Sequence, residues 1–112
     1  MNIGPHYLNS KVLLAPMAGT SDKPFRIMCR DQGAALTTSE MVVLQKHLLN
    51  TNKSKHRLDF NSEKSPISIQ IAGSEAEELA ESARQAVEFG ADIIDINMGC
   101  PAKKVCKKAA GS

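Results

Sequence analysis

The groups in this chain with chemistry to offer are a thiol, side-chain amides and a run of lysines, and most of them fall in one stretch. From Asp92 to Lys108 the sequence reads DIIDINMGCPAKKVCKK. Ile94 and Ile96 alternate with Asp95 and Asn97, the period of two that marks a strand. The run stops at Gly99, Cys100 and Pro101, where glycine frees the backbone and proline fixes φ and removes a donor. A thiol is thereby presented in a tight turn at the carboxyl end of a strand. Four of the eight residues from Pro101 to Lys108 are lysines, among them Lys103 and Lys104. The combination reads as a reactive site facing an anionic partner. Each part has a blander reading: a lone cysteine is more often a small core residue, and a lysine cluster more often a solvated surface. Cys29, on the apolar side of a helix, reads as structural, and Cys106 as a bystander.

Composition narrows the classes. At 112 residues and 42% hydrophobic, the chain has the content of about one small soluble domain. Net charge is only +2, so the positive charge is local to the loop after Cys100. Three cysteines at unpatterned spacing argue against a disulfide framework and for a reducing, cytoplasmic setting. No C-x-x-C pair exists, no histidine neighbours Cys100 or Cys106, and His6, His47 and His56 share no ligating spacing, so no metal site is expected. No stretch approaches the roughly 20 apolar residues of a membrane span, and MNIGPHYLNSK is unlike a signal peptide.

Several elements must position the chemistry. Val12–Ala15 reads as a short buried strand ending at Pro16. Ser21 or Asp22 can cap a helix with Pro24 in its first turn, Phe25, Met28 and Cys29 at helical spacing, and Gly33 at its end. Leu36–Ser39 is a second strand, and residues 42–49 a short helix. The polar segment 50–64 reads as a long connection. Ile67, Ile69 and Ile71 alternate with Ser68 and Gln70 in a third strand. Ser74 and Glu77 suggest a capping box for a helix running to Gly90, before the fourth strand over 92–97.

Strands alternating with helices predict an α/β fold with a parallel sheet, either an open doubly wound sheet or a TIM (β/α)8 barrel. Pro16-Met17-Ala18, Ser39-Glu40, Gln70 and Asn97 to Cys100 all lie at strand ends, which in a barrel converge on one rim. The absence of G-x-G-x-x-G after the first strand argues against a Rossmann site. A barrel needs about 250 residues, so residues 1–112 are expected to be its amino-terminal part, with about the first four strands.

The segments LAPMAGTSDKPFR (14–26), TSEMV (38–42), IQIAGS (69–74) and DINMGCPAKKV (95–105) together resemble the tRNA-dihydrouridine synthases, and the bacterial B-type most. The resemblance spans about Leu13 to Ser112. It implies a TIM barrel followed by a helical tRNA-binding domain, with FMN as cofactor, NADPH as reductant and tRNA as partner. It also implies that Pro16, Met17 and Ala18 lie against the flavin, that Gln70 bonds its polar edge, and that Cys100 donates a proton. Asn97 would hold the flavin or the target uracil, while Lys103 and Lys104 would meet tRNA phosphates. The flavin-phosphate loops and the helical domain would lie beyond Ser112.

That chemistry has a physical rationale. Reducing the C5–C6 bond of uracil takes a hydride on one carbon and a proton on the other, and a thiol with the ordinary pKa near about 8.5 is mostly protonated at neutral pH yet able to donate. Two alternatives stand beside it: another FMN-dependent barrel acting on a small pyrimidine, and a non-catalytic truncated product.

Overall fold

The computed structural model describes residues 1–41 and 59–101. The helix expected over 42–49, most of the polar connection, and the loop carrying Lys103, Lys104, Cys106, Lys107 and Lys108 lie outside them. The elements in chain order are β1 (Asn2–Ile3), β2 (His6–Tyr7), β3 (Leu13–Leu14), α1 (Lys23–Asp31), β4 (Leu36–Thr37), β5 (Ser68–Ile71), α2 (Ala76–Glu88) and β6 (Ile93–Ile96). The fold is α/β, as expected, and all four expected strands form.

β3 pairs in parallel with β4, Leu13 opposite Leu36 and Leu14 opposite Thr37. A parallel bridge from Thr38 to Ser68 joins β4 to β5, reinforced by Ser39 N–H to Ser68 O at 3.0 Å and Thr38 Oγ1 to Ser68 Oγ at 3.1 Å. β5 pairs in parallel with β6, with Gln70 opposite Asp95. Each strand therefore neighbours the next in the chain, and all four run the same way. Among the described residues they form no closed barrel.

β5 and β6 expose different chemistry on their two faces, because successive strand residues point to opposite sides. On one face Ile69 and Ile71, both fully buried, pack with Phe60, with Ala86 of α2, and with Leu79, Ala83 and Ile94. On the other, Ile93 packs with Leu8, Ala35 and Leu36. Leu8 arrives there through an element the sequence reading lacks. β1 and β2 pair antiparallel across Gly4-Pro5, Gly4 holding a positive φ of 55°, and Leu8 N–H donates to Met1 O at 2.7 Å. The hairpin delivers Leu8, 1% exposed, against the amino-terminal ends of β4 and β6.

α1 starts as its sequence predicts. Asp22 is the N-cap, its Oδ1 accepting from Phe25 N–H at 3.1 Å, and Pro24 sits in the first turn, where no donor is missed. α2 corrects an expectation. Its N-cap is Glu75, without a side-chain cap bond, so the Ser74–Glu77 box does not form. Glu78 reaches back to Ser74 N–H at 3.3 Å. The turn at Gly73 runs so close to this carboxylate that an added Cβ would lie 3.1 Å from Oε2, which puts Glu78 within reach of that donor.

The described end of the connection before β5 is also more ordered than its polar composition suggests. This part, 59–65, packs on α1. Arg26, 3% exposed, donates from Nε to both carboxylate oxygens of Glu63 at 3.2 Å and from Nη2 to Oε1, with its guanidinium 5.3 Å from the centre of the Phe60 ring. Arg30 donates to Ala35 O, to Lys64 O at 2.6 Å and to Ser65 O at 3.0 Å, and Lys23 pairs with Asp59 at 3.0 Å.

Candidate functional site at the carboxyl ends of the strands

The residues after the four strand ends are joined by one continuous set of hydrogen bonds. In the loop after β3, Gly19 N–H donates to Glu40 Oε1 at 3.1 Å, which ties that loop to the end of β4. Ser39, 1% exposed, donates from Oγ to Glu40 O at 3.0 Å and accepts from Gln70 N–H at 3.2 Å, which carries the connection to β5. Gln70 Oε1 accepts from Asn97 Nδ2 at 3.2 Å, and Asn97 Oδ1 accepts from Gly99 N–H at 3.0 Å. Gly19 and Gly99, 80 residues apart in sequence, are thus linked through Glu40, Ser39, Gln70 and Asn97.

The convergence expected of a rim is therefore present for Gln70, Asn97 and the Gly99-Cys100 turn. Gln70 is only 8% exposed, and its burial is compatible with its chemistry because the amide is bonded on both sides, Nε2 donating to Asp95 Oδ2 at 2.6 Å. Two of its four hydrogen-bonding positions remain, one N–H and one oxygen lone pair. Cys100 is half-buried and not disulfide-bonded. Lys103 and Lys104 lie outside the described residues.

Pro16, Met17 and Ala18 form the loop after β3, Pro16 half-buried, Met17 40% exposed and Ala18 exposed. The loop is held from behind by Ser21, which is fully buried. Ser21 Oγ accepts from Met17 N–H at 2.8 Å and donates to Met17 O at 3.0 Å, while Thr20 and Ser21 N–H also donate to Met17 O. Behind Ser21 stands Arg26, whose Nη1 donates to Ser21 O at 2.8 Å. The Glu63–Arg26–Ser21–Met17 path fixes the backbone at Met17 while its side chain stays available at the surface.

Two groups that matter here, Asp95 and the Arg26–Glu63 pair, were not among the sequence candidates. Asp95 accepts from the Gln70 side chain, across the pair that the β5–β6 register puts opposite each other. Asp92 bonds backbone, accepting from Ile67 N–H at 2.8 Å. Glu40 and the Arg26–Glu63 pair complete the support. A polar residue recurring on the inward face of an isoleucine-rich strand was the available signal for Asp95; Arg26 and Glu63, 37 residues apart, had none.

A flat, largely apolar ring with a polar edge fits what the rim presents. Met17 and Ala18 offer apolar surface on a fixed backbone, and Gln70 keeps a donor and an acceptor in a buried position. Among the described residues no group of three or more His, Cys, Asp or Glu is gathered as metal ligands, and no helix is long and apolar enough to cross a membrane.

Residues 13–112 match the dihydrouridine synthase (Dus) family model. Over all 112 residues the chain is 56% identical to tRNA-dihydrouridine synthase B of Xanthomonas campestris pv. campestris, 55% to that of Pseudomonas aeruginosa and 50% to that of Shewanella oneidensis. It covers 34%, 34% and 35% of those proteins, about a third of their length. With nearly all of its sequence matched by one family model, this chain belongs to the dihydrouridine synthase family, and the relatives named above are B-type members.

Proposed function

We propose that this chain supplies the first four strands of a (β/α)8 barrel that reduces uridines in tRNA to 5,6-dihydrouridine, with FMN as cofactor and NADPH as reductant. The observation that carries the reading is the bonded rim itself: Gln70, Asn97 and the turn holding Cys100 form one unit at the carboxyl ends of parallel strands. Strands paired in chain order favour a barrel over a doubly wound sheet, whose order reverses at a switch point. The names of the relatives support tRNA as the substrate, and the cytoplasm is the place of work that goes with that substrate.

Roles follow residue by residue. Pro16, Met17 and Ala18 form a wall for the flavin ring, held by Ser21 and Arg26. Gln70 bonds the ring's polar edge through its two remaining positions, and Asn97 orients the flavin or the target uracil. The cofactor, when bound, supplies the hydride for the C5–C6 bond. Cys100 holds the thiol proton for the other carbon, on a turn whose geometry Asn97 sets through Gly99. Lys103 and Lys104 contact phosphates of a tRNA whose target base has left its stack. The remaining strands and a helical tRNA-binding domain belong to the rest of a protein of the relatives' length.

The test is a chimera in which residues 1–112 replace the matching third of the Xanthomonas campestris synthase. The expected result is a yellow protein that forms dihydrouridine in tRNA with NADPH. A flavin-bound chimera that reduces a free pyrimidine and leaves tRNA untouched would establish the small-molecule alternative. A folded chimera that binds no flavin would end the reading.

A further inference from the structure

Three side-chain hydrogen bonds at the carboxyl ends of β5 and β6 run head to tail. Gly99 N–H donates to Asn97 Oδ1, Asn97 Nδ2 donates to Gln70 Oε1, and Gln70 Nε2 donates to Asp95 Oδ2, at 3.0, 3.2 and 2.6 Å. The two ends of this chain cannot be reversed. A backbone N–H only donates, and a carboxylate oxygen accepts. Between them sit two amides, each of which could otherwise rotate by half a turn and exchange its donor for its acceptor. Asp95 forces the nitrogen of Gln70 toward β6, and Gly99 forces the oxygen of Asn97 toward the turn. The two amides then meet nitrogen to oxygen. Reversing either one would set donor against donor, or acceptor against acceptor, in a place where Gln70 is 8% exposed and water is scarce. Such chains also polarise each member in turn.

We infer that Asp95 is a positioning residue: it fixes the amide of Gln70 and thereby sets which donor and acceptor the rim offers to a bound ring. This rests on the reading that Gln70 meets the flavin edge. The cross-strand register supports it, since Gln70 and Asp95 are direct partners in the β5–β6 ladder and share a face. The contact is the shortest of the three bonds, as befits a carboxylate acceptor.

The experiment uses the same chimera and five proteins: unmodified, Asp95→Ala, Asp95→Asn, Gln70→Ala and the Asp95→Ala/Gln70→Ala double variant. FMN affinity is read by titration of the flavin absorbance, and thermal unfolding is followed without FMN. If Asp95 acts through Gln70, Asp95→Ala weakens FMN binding by roughly tenfold, the loss expected when one bond to a charged group goes. Asp95→Asn still presents an acceptor oxygen and stays within about twofold of the unmodified chimera. The double variant binds no more weakly than Gln70→Ala alone. Full additivity, unchanged affinity in Asp95→Ala, or an Asp95→Asn protein as weak as Asp95→Ala would each overturn the inference. If the unmodified chimera binds no FMN, the flavin reading is what fails. The unfolding temperatures then decide, with restoration by asparagine and no further loss in the Gln70→Ala background as the supporting pattern, and additive losses as the refuting one.

Discussion

Replacing Glu63 by alanine should destabilise the protein more than any exposed charge substitution, and the structure lets the size be worked out. Glu63 and Arg26 have side chains 8% and 3% exposed, and the guanidinium reaches both carboxylate oxygens. Removing the carboxylate leaves a buried cation with one remaining carbonyl partner, Ser21 O, and the face of Phe60. Breaking one side of a buried pair costs about 3–5 kcal/mol, because the surviving charge is desolvated and unpaired. Exposed pairs such as Arg84–Glu81 are worth about 0–1 kcal/mol, which gives an internal control. Folded domains have a total stability of about 5–15 kcal/mol, so in the chimera the loss is a large fraction of it. In urea, with a slope of about 1–3 kcal/mol per molar, the midpoint should fall by more than about 1 M. Glu63→Gln keeps an acceptor and should lose less, about 1–3 kcal/mol. An Arg26→Met/Glu63→Leu double variant removes both charges and should recover most of the stability, yet it still lacks the bond to Ser21 O that holds the Met17 loop. A Glu63→Ala midpoint no lower than that of Arg84→Ala would refute the argument, for it would mean the pair is hydrated in solution.

Other outcomes follow from the same geometry. Cys100→Ala in the chimera should retain flavin reduction by NADPH and lose tRNA turnover; unchanged turnover would remove Cys100 from the role of proton donor. Lys103→Ala and Lys104→Ala should each weaken tRNA binding and lower the salt dependence of log K by roughly one, while a slope that does not move would place these lysines away from the phosphates. Leu8→Ala, at a side chain 1% exposed against Ala35, Leu36 and Ile93, should cost about 2–5 kcal/mol, measurable by denaturation, and a loss under 1 kcal/mol would show that the hairpin does not seal this core.

β5 and β6 were legible because isoleucines at every second position leave few other readings, and α1 because an N-cap, a first-turn proline and a terminating glycine agree. Gln70 and Asn97 stood out for a related reason: a polar side chain in an isoleucine-rich strand must find a partner. Which partner was not legible. Asp95 and Gln70 are 25 residues apart and meet only once the β5–β6 register is set. Arg26 and Glu63 are farther apart, and each looks like an ordinary surface charge, one on a helix and one in a polar connection. Phe60, an apolar residue in that connection, marked where it turns inward. The β1–β2 hairpin escaped notice because two-residue strands carry no period, and only Gly4-Pro5 signals a turn. The shifted α2 cap shows a local motif overruled by the close approach of Gly73 to Glu78.

One feature of β6 connects stability to chemistry. Its inward face reads Ile93, Asp95 and then Asn97 just past its end, and the paired face of β5 reads Ser68 and Gln70. At the amino-terminal end the layer is apolar, with Ile93 against Leu8 and Leu36. Two residues further on it is a carboxylate and two amides. Gln70 is buried and Asp95 and Asn97 half-buried, and burying such groups costs up to about 1–3 kcal/mol each when they lack partners, so a layer selected for stability alone would stay apolar. The polar layer is tolerated because Gly99, Asn97, Gln70 and Asp95 satisfy one another in sequence. It has a use only if something entering from the carboxyl end engages the positions left over. The hydrogen bonds that make the layer affordable are thus the same ones that orient it, and a substitution there should disturb binding and stability together, whereas Leu8→Ala should disturb stability alone.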